Sequence, residues 1–175
     1  MIKAFLRALL KPLSFLPAFF MMYVIYYLSG QDGTTSADLS LKVSVKIVEL
    51  ASEIFHHPLS DIEIMQYADL IHFLIRKCAH VTLYFLLAVS VSFPLYVYGL
   101  RGIWLMIVAG TFCIAFACGD EYHQSLVEGR GPSKQDVMID SIGVIAGIIM
   151  VRIVGFIGRM TIFKPLSKKR KAAKN

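Results

Sequence analysis

The sequence lacks the patterns that indicate a disulfide scaffold, a zinc motif or a nucleotide-binding loop. Its 175 residues include only three cysteines, Cys78, Cys113 and Cys118, with no Cys-x-x-Cys pair. An odd number of cysteines at irregular spacing is not a disulfide framework. There is also no His-Glu-x-x-His motif, no glycine-rich phosphate loop and no nucleophilic serine motif. We therefore expect no cofactor and buried free thiols, with a Cys78–Cys118 bridge as the alternative.

Charge is scarce and unevenly placed. Charged residues make up 17% of the chain and hydrophobic residues 57%, with a mean hydropathy of +0.64. Apolar usage in soluble domains is nearer half, so the composition favours an integral membrane protein. The net charge of +6 does not indicate nucleic acid binding, because the basic residues flank apolar runs as membrane topology requires.

Four apolar segments are long enough to cross a membrane, which takes about 20 residues. We predict an all-α, polytopic membrane protein with four transmembrane helices and an outer-face helical loop between helices 1 and 2. The first segment could be a signal peptide, but it has no small-residue cleavage site, which favours an uncleaved span. The predicted spans cover residues 12–30, 79–99, 102–122 and 137–158.

Basic residues predict the orientation of the spans. With the N terminus inside, four crossings leave both termini and twelve of the eighteen Lys and Arg residues on the cytoplasmic side, as the positive-inside rule requires. All twelve Asp and Glu residues then fall at or beyond the outer membrane face. Residues 161–175 form a basic cytoplasmic tail in this arrangement.

The loop between the first two predicted spans has helical periodicity. Charged residues recur at steps of four, three and four, and apolar residues line another side of the same helix. Such a helix either lies in the membrane interface or packs on the rim of the bundle. Ser60 and Glu63 form a capping box, which predicts a second helix running unbroken into the span at residues 79–99. The charged stripe is Lys42, Lys46, Glu49 and Glu53.

Polar residues cluster where the second, third and fourth spans meet the predicted outer face. Residues three or four apart share one face of a helix, so Asp120, His123 and Gln124 project together, with Glu121 on the adjoining face. A turn at Gly129 and Gly131 presents Arg130. The second span contributes a stripe of Arg76, His80 and Tyr84. The fourth contributes Asp136 and Asp140, followed by Gly143 and Gly147, whose spacing permits close helix packing.

These groups allow more than one interpretation. Ionisable residues at membrane depth are costly unless paired, so they could simply brace the helices. They could also line a polar pocket open to the outside. In an enzyme, Asp120, Glu121 and His80 would be the catalytic candidates, with Glu121 as base and His80 as acid. Arg76 or Arg130 would then clamp a phosphate or carboxylate. A divalent metal held by His80, His123, Asp120 and Glu121 is a weaker alternative.

Three stretches carry a family resemblance. "RKCAHVTLYFLLA" followed by "GDEYHQSLVEGRGPSKQDVMIDSIGVIAG" resembles the VanZ-like family of small bacterial membrane proteins, and "YLSGQ" resembles the end of its first helix. Many members carry an acidic residue just before the tyrosine, where this chain has Leu83. The matching site positions are Arg76, Lys77, His80, Tyr84, Asp120, Glu121, Gln124, Arg130, Asp136 and Asp140.

The resemblance implies a VanZ-like four-helix domain over residues 1–160 in the bacterial cytoplasmic membrane. The name-giving member is linked to teicoplanin resistance, but a shared fold supplies no reaction. We expect an outward-facing pocket that binds an envelope lipid, a cell-wall precursor or a lipoglycopeptide antibiotic. The alternative is a membrane-embedded enzyme that modifies a lipid or cell-wall precursor. A transporter is less favoured, because the inner halves of the spans carry almost no polar residues.

Overall fold

Five α-helices and no strand make up the described part of the chain. The computed structural model describes residues 12–131 and 133–163, so the N-terminal basic residues and most of the predicted tail lie outside it. The all-α prediction is confirmed. The helices are α1 (Leu16–Ser29), α2 (Gly33–Ile54), α3 (Asp61–Val97), α4 (Gly102–Gln124) and α5 (Lys134–Gly158), followed by a π-helical turn at Arg159–Phe163.

The apolar segments coincide with helices, although the first is shorter than predicted. Helices α3, α4 and α5 are long and apolar enough to cross a membrane. Helix α1 has 14 residues, about 21 Å of helix. It begins late because Ser14 and Phe15 form a turn, after which Pro17 occupies the first helical turn, a position that proline favours.

Helix α3 is much longer than a single membrane crossing. The predicted capping box is present, since the Ser60 side chain accepts from the Glu63 N–H while the Glu63 carboxylate accepts from the Ser60 N–H. The helix then runs unbroken for 37 residues and includes Pro94. That length is about 55 Å, against about 30 Å for the hydrocarbon core of a bilayer. The N-terminal part of α3 therefore projects beyond the apolar band.

Helices α3 and α5 run parallel and touch backbone to backbone. A Cβ atom on Gly143 would lie 2.2 Å from the carbonyl oxygen of Val81, and one on Gly147 would lie 2.6 Å from that of Phe85. No side chain fits at either glycine without moving α3. The prediction that these glycines permit close helix packing is confirmed.

Helix α2 folds back antiparallel along the first part of α3, forming a helical hairpin that projects from the bundle. Its buried side consists of Ser40, Ser44 and Val48, and the Ser44 hydroxyl donates to the Ser40 carbonyl at 2.8 Å. Small side chains let the two helices approach closely. The larger apolar residues of α2 stay exposed: Leu39, Val43, Ile47, Leu50 and Ile54. The helix thus packs on the rim of the bundle and still presents an apolar surface.

The two ends of the bundle differ. The end that carries the α2–α3 hairpin, here called the hairpin end, also carries the α4–α5 loop. At the opposite end a tight turn joins α3 to α4, with positive φ at Gly99 and Gly102. No cysteine forms a disulfide; Cys113 is buried, but Cys78 and Cys118 are exposed on helix surfaces. The expectation of buried thiols is wrong for those two.

Candidate functional site

A hydrogen-bonded network around Asp120 joins three helices at the hairpin end. One carboxylate oxygen, Oδ2, accepts from Ser29 Oγ at 2.9 Å, Tyr84 Oη at 3.1 Å and Gln124 Nε2 at 3.0 Å. Asp120 is 5% exposed, Gln124 is 7% and Tyr84 is fully buried. These three predicted site residues therefore bind one another and brace α1, α3 and α4, behind rather than on the accessible surface.

The neighbouring carboxylates face α5 instead. Glu121 Oε1 accepts from the Ser133 N–H at 2.5 Å, next to the start of α5. Lys77 forms an ion pair with Asp136. Asp120 and Glu121 thus have separate partners, because consecutive helical residues point about 100° apart. Lys77 was expected in the site only from its match to the family pattern.

His80 and Asp140 form a second contact between α3 and α5. His80 Nδ1 lies 3.8 Å from Asp140 Oδ1, and Asp140 is 2% exposed. That oxygen has no hydrogen-bond partner among the described residues. The two atoms are close enough to attract each other when the imidazole is charged but too far apart for a hydrogen bond.

His123 does not join the group in which the sequence placed it. Its ring stacks on Tyr26 with the centroids 4.4 Å apart, because α1 packs against that side of α4. In residues 12–131 and 133–163 no three His, Cys, Asp or Glu side chains converge closely enough to hold a metal. The suggested metal site of His80, His123, Asp120 and Glu121 is therefore wrong.

A cavity of about 180 Å³ opens between α1, α2, α3 and the α4–α5 loop. Its polar wall brings together three predicted residues, Arg76, His80 and Arg130, with Ser29 and Gln31. Ser29 and Gln31 were expected near the site only because "YLSGQ" resembles the family pattern. The remaining wall is hydrophobic and includes Leu28, Leu39, Val43, Ile75 and Leu83. The cavity is thus amphipathic.

The two arginines of this cavity, Arg76 and Arg130, form no ion pair with any Asp or Glu side chain in the described part of the chain, which contains every Asp and Glu. Arg130 Nη1 donates to the Ser29 carbonyl at 3.3 Å, and the buried Nε of Arg76 has no acceptor. Burial, and then the nearby Arg76 guanidinium, lower the pKa of Arg130, and the charges of Asp120, Glu121 and Asp32 offset only part of this effect. Two like charges are therefore held close together.

Backbone contacts fix the loop that carries Arg130. The Gly33 N–H donates to the Glu128 carbonyl at 3.2 Å, and a Cβ on Gly33 would lie 2.6 Å from the Gly129 carbonyl oxygen. Asp32 caps α2 by accepting from the Thr35 N–H at 2.7 Å. Hydrogen bonds from Thr34 and Thr35 lower the pKa of Asp32. Because its carboxylate is occupied by that cap, Asp32 forms no ion pair with Arg130.

Long apolar helices around a largely buried polar network define a polytopic helical membrane protein. The family model described as VanZ/LLP1 matches residues 14–155. The chain belongs to this family and is a membrane protein of the VanZ type. No match was found among curated proteins or among solved structures.

One departure from the family pattern lies in the cavity itself. Leu83 stands where many VanZ-like chains have an acidic residue, and its side chain lines the cavity with Arg76 and Arg130. A carboxylate at this position would supply the missing counter-charge. With leucine, the cavity keeps both a positive wall and an additional apolar wall.

Proposed function

We propose that this protein binds an anionic amphiphile of the bacterial cell envelope in the cavity between Arg76 and Arg130. The observation that carries the proposal is the pair of guanidinium groups that form no ion pair with an Asp or Glu side chain among the described residues and lie beside a hydrophobic wall. A cation at membrane depth is costly unless it is paired. Arginine pairs well with phosphate and carboxylate, because its planar donors bind both oxygens of such a group.

The size of the cavity favours a head group over a whole ligand. Sites that enclose a drug-sized molecule have volumes of roughly 300–1,000 Å³, whereas this cavity measures about 180 Å³. A hydrocarbon tail would lie outside it, along Leu39 and Val43, which line the cavity and are also exposed on α2. Envelope lipids, lipid-linked cell-wall precursors and the lipid-tailed antibiotic teicoplanin share this division into head and tail.

The charge distribution supports an outward-facing cavity. Asp120 in α4 lies 19 residues after Arg101, the N-cap of that helix, or about 28 Å along it. This distance is close to the thickness of a hydrocarbon core, about 30 Å. The N-terminal arm, the α3–α4 turn, the end of α5 and the C-terminal tail together carry twelve of the eighteen Lys and Arg residues. By the positive-inside rule we infer that the hairpin end faces outside and both termini face the cytoplasm.

An enzyme is the second candidate, favoured by the position of His80. This residue lines the cavity and lies 3.8 Å from the Asp140 carboxylate, so an acid–base pair adjoins the arginines that would hold a phosphate. A lipid or cell-wall precursor would be the substrate. Mass spectrometry of such a lipid before and after incubation with the protein and with His80→Gln tests this candidate. An unchanged lipid mass would leave binding as the function.

Binding to the full-length protein in lipid nanodiscs tests the main proposal. The probes are a polyprenyl phosphate, phosphatidylglycerol and teicoplanin, each compared with phosphatidylcholine. Arg130→Gln and Arg76→Gln should each weaken binding by about tenfold or more, because a charged hydrogen bond contributes about 1.5–3 kcal/mol. Lys134→Gln, which removes an exposed positive charge at the same end but outside the cavity, is the matched control. Equal affinity of the parent and both cavity variants for every anionic probe would refute the proposal.

A further inference from the structure

We infer that the opposite end of the bundle carries a second, separate lipid site, in which Arg101, Arg152 and Arg159 hold the phosphate of an anionic phospholipid. It shares no residue with the cavity of the proposed function. The three arginines come from the turn before α4, from α5 and from the turn after it. They line a groove of about 410 Å³ together with Tyr96 and Phe156.

A second groove adjoins the first. It has a volume of about 540 Å³ and shares Tyr96, Arg101 and Arg159 with the first groove. One groove continues along Ile149 and Ile153, the other along Val151 and Val154. Two hydrophobic grooves that meet at shared arginines match a lipid with one phosphate and two acyl chains.

No acidic side chain neutralises this end of the bundle. The sequence has no Asp or Glu from residue 70 to 119 and none after residue 140, so the end of α3, the start of α4 and most of α5 carry none. The Arg152 Nη1 instead donates to the Met106 sulfur at 2.7 Å, which is a weak acceptor. The site therefore presents three guanidinium groups to an external anion.

Aromatic rings hold two of these arginines in place. The Arg101 guanidinium lies 5.4 Å from the centre of the Tyr96 ring, and that of Arg159 lies 6.0 Å from the Phe156 ring. A cation above an aromatic face is attracted to it at these distances. The contacts fix the side chains without neutralising them, so their donors stay available to a phosphate.

The depth of the site favours a lipid over a free phosphate ion. Arg101 lies about 28 Å along α4 from Asp120, which places the two groups near opposite surfaces of a hydrocarbon core of about 30 Å. Lipid phosphates are found at that level. Basic pockets between transmembrane helices are suited to anionic head groups, and a free phosphate would leave the hydrophobic walls of both grooves exposed.

Native mass spectrometry of the full-length protein tests the inference. The protein is released from mild detergent after incubation with phosphatidylglycerol or phosphatidylcholine, and the lipid retained per chain is measured. We expect retained phosphatidylglycerol and little phosphatidylcholine. Because the basic tail also attracts anionic lipid, the comparison between variants decides the result. In an Arg130→Gln background, which removes the contribution of the first cavity, Arg152→Gln with Arg159→Gln should weaken the remaining retention by about 25-fold, about fivefold for each arginine.

Two further variants separate this site from the other possibilities. Ile153→Trp fills one groove without changing charge and should reduce retention as well, whereas Lys134→Gln, which removes an exposed positive charge at the hairpin end outside both sites, should leave it unchanged. Unchanged retention in the double arginine variant would overturn the inference. So would inorganic phosphate alone binding the parent as tightly as phosphatidylglycerol does. Complete loss of retention in Arg130→Gln alone would show that only the first cavity binds lipid, and would overturn it too.

Discussion

A glutamate in place of Leu83 should supply the cavity with its own anion. Leu83 lines the cavity beside Arg76, His80 and Arg130, and it is partly buried against the hydrophobic core. In Leu83→Glu the introduced carboxylate lies in the same wall as the two guanidinium groups. An anionic ligand must then displace it, and a charged hydrogen bond contributes about 1.5–3 kcal/mol.

That free energy sets the size of the expected effect. The dissociation constant of a polyprenyl phosphate should rise about 10- to 100-fold in Leu83→Glu, because about 1.4 kcal/mol corresponds to each factor of ten. Leu83→Gln is the matched control, since glutamine has nearly the same shape as glutamate but no charge. Binding is measured in nanodiscs, with thermal unfolding in parallel. The new ion pairs should make the glutamate variant more stable than the glutamine variant.

The comparison between those two variants decides whether charge or shape governs the cavity. If both weaken binding equally, the hydrophobic wall alone is responsible. If Leu83→Glu binds the anionic lipid as tightly as the parent, the cavity does not recognise anions. Either result would refute the reasoning from the paired arginines.

Three other predictions follow from the packing and the family. Gly143→Ala should destabilise the fold by about 2 kcal/mol or more in an unfolding assay, because its Cβ would lie 2.2 Å from a carbonyl oxygen of α3. Gly119→Ala is the control in the same assay, since Gly119 has open space around it. Tyr84→Phe removes the hydrogen bond to Asp120 and should cost about 1 kcal/mol of unfolding free energy, and no change in melting would contradict that role. Expression in a teicoplanin-sensitive host should raise resistance for the parent and not for Arg130→Ala at equal membrane levels; no protection by the parent would separate this chain from the family's resistance role.

Several features of the fold were predictable from local sequence. The capping box at Ser60 and Glu63 marked the start of α3, because its two reciprocal hydrogen bonds depend on residues three apart. The apolar runs located the spans, since each must match the thickness of a bilayer. Gly143 and Gly147 indicated a close helix contact, because their spacing puts both on one face of α5.

The grouping of the polar residues was less predictable. Asp120 and Gln124 were expected to line an accessible pocket, but hydrogen bonds to α1 and α3 bury them. Their exposure depends on how each helix is rotated towards its neighbours, which periodicity within one helix does not determine. Similarly, α2 buries Ser40 and Ser44 and leaves larger apolar side chains exposed, because small residues allow closer contact with α3.

The continuity of α3 has a mechanical consequence. The helix carries Arg76 in one site and Tyr96 in the other, 20 residues apart without a break, or about 30 Å. Between them, the backbone of α3 at Val81 and Phe85 packs against Gly143 and Gly147 of α5, so the helix is held at two successive turns. Asp61 lies 20 residues before Val81, about 30 Å along the helix. A displacement of the hairpin relative to the bundle would therefore have to bend α3 or separate it from α5.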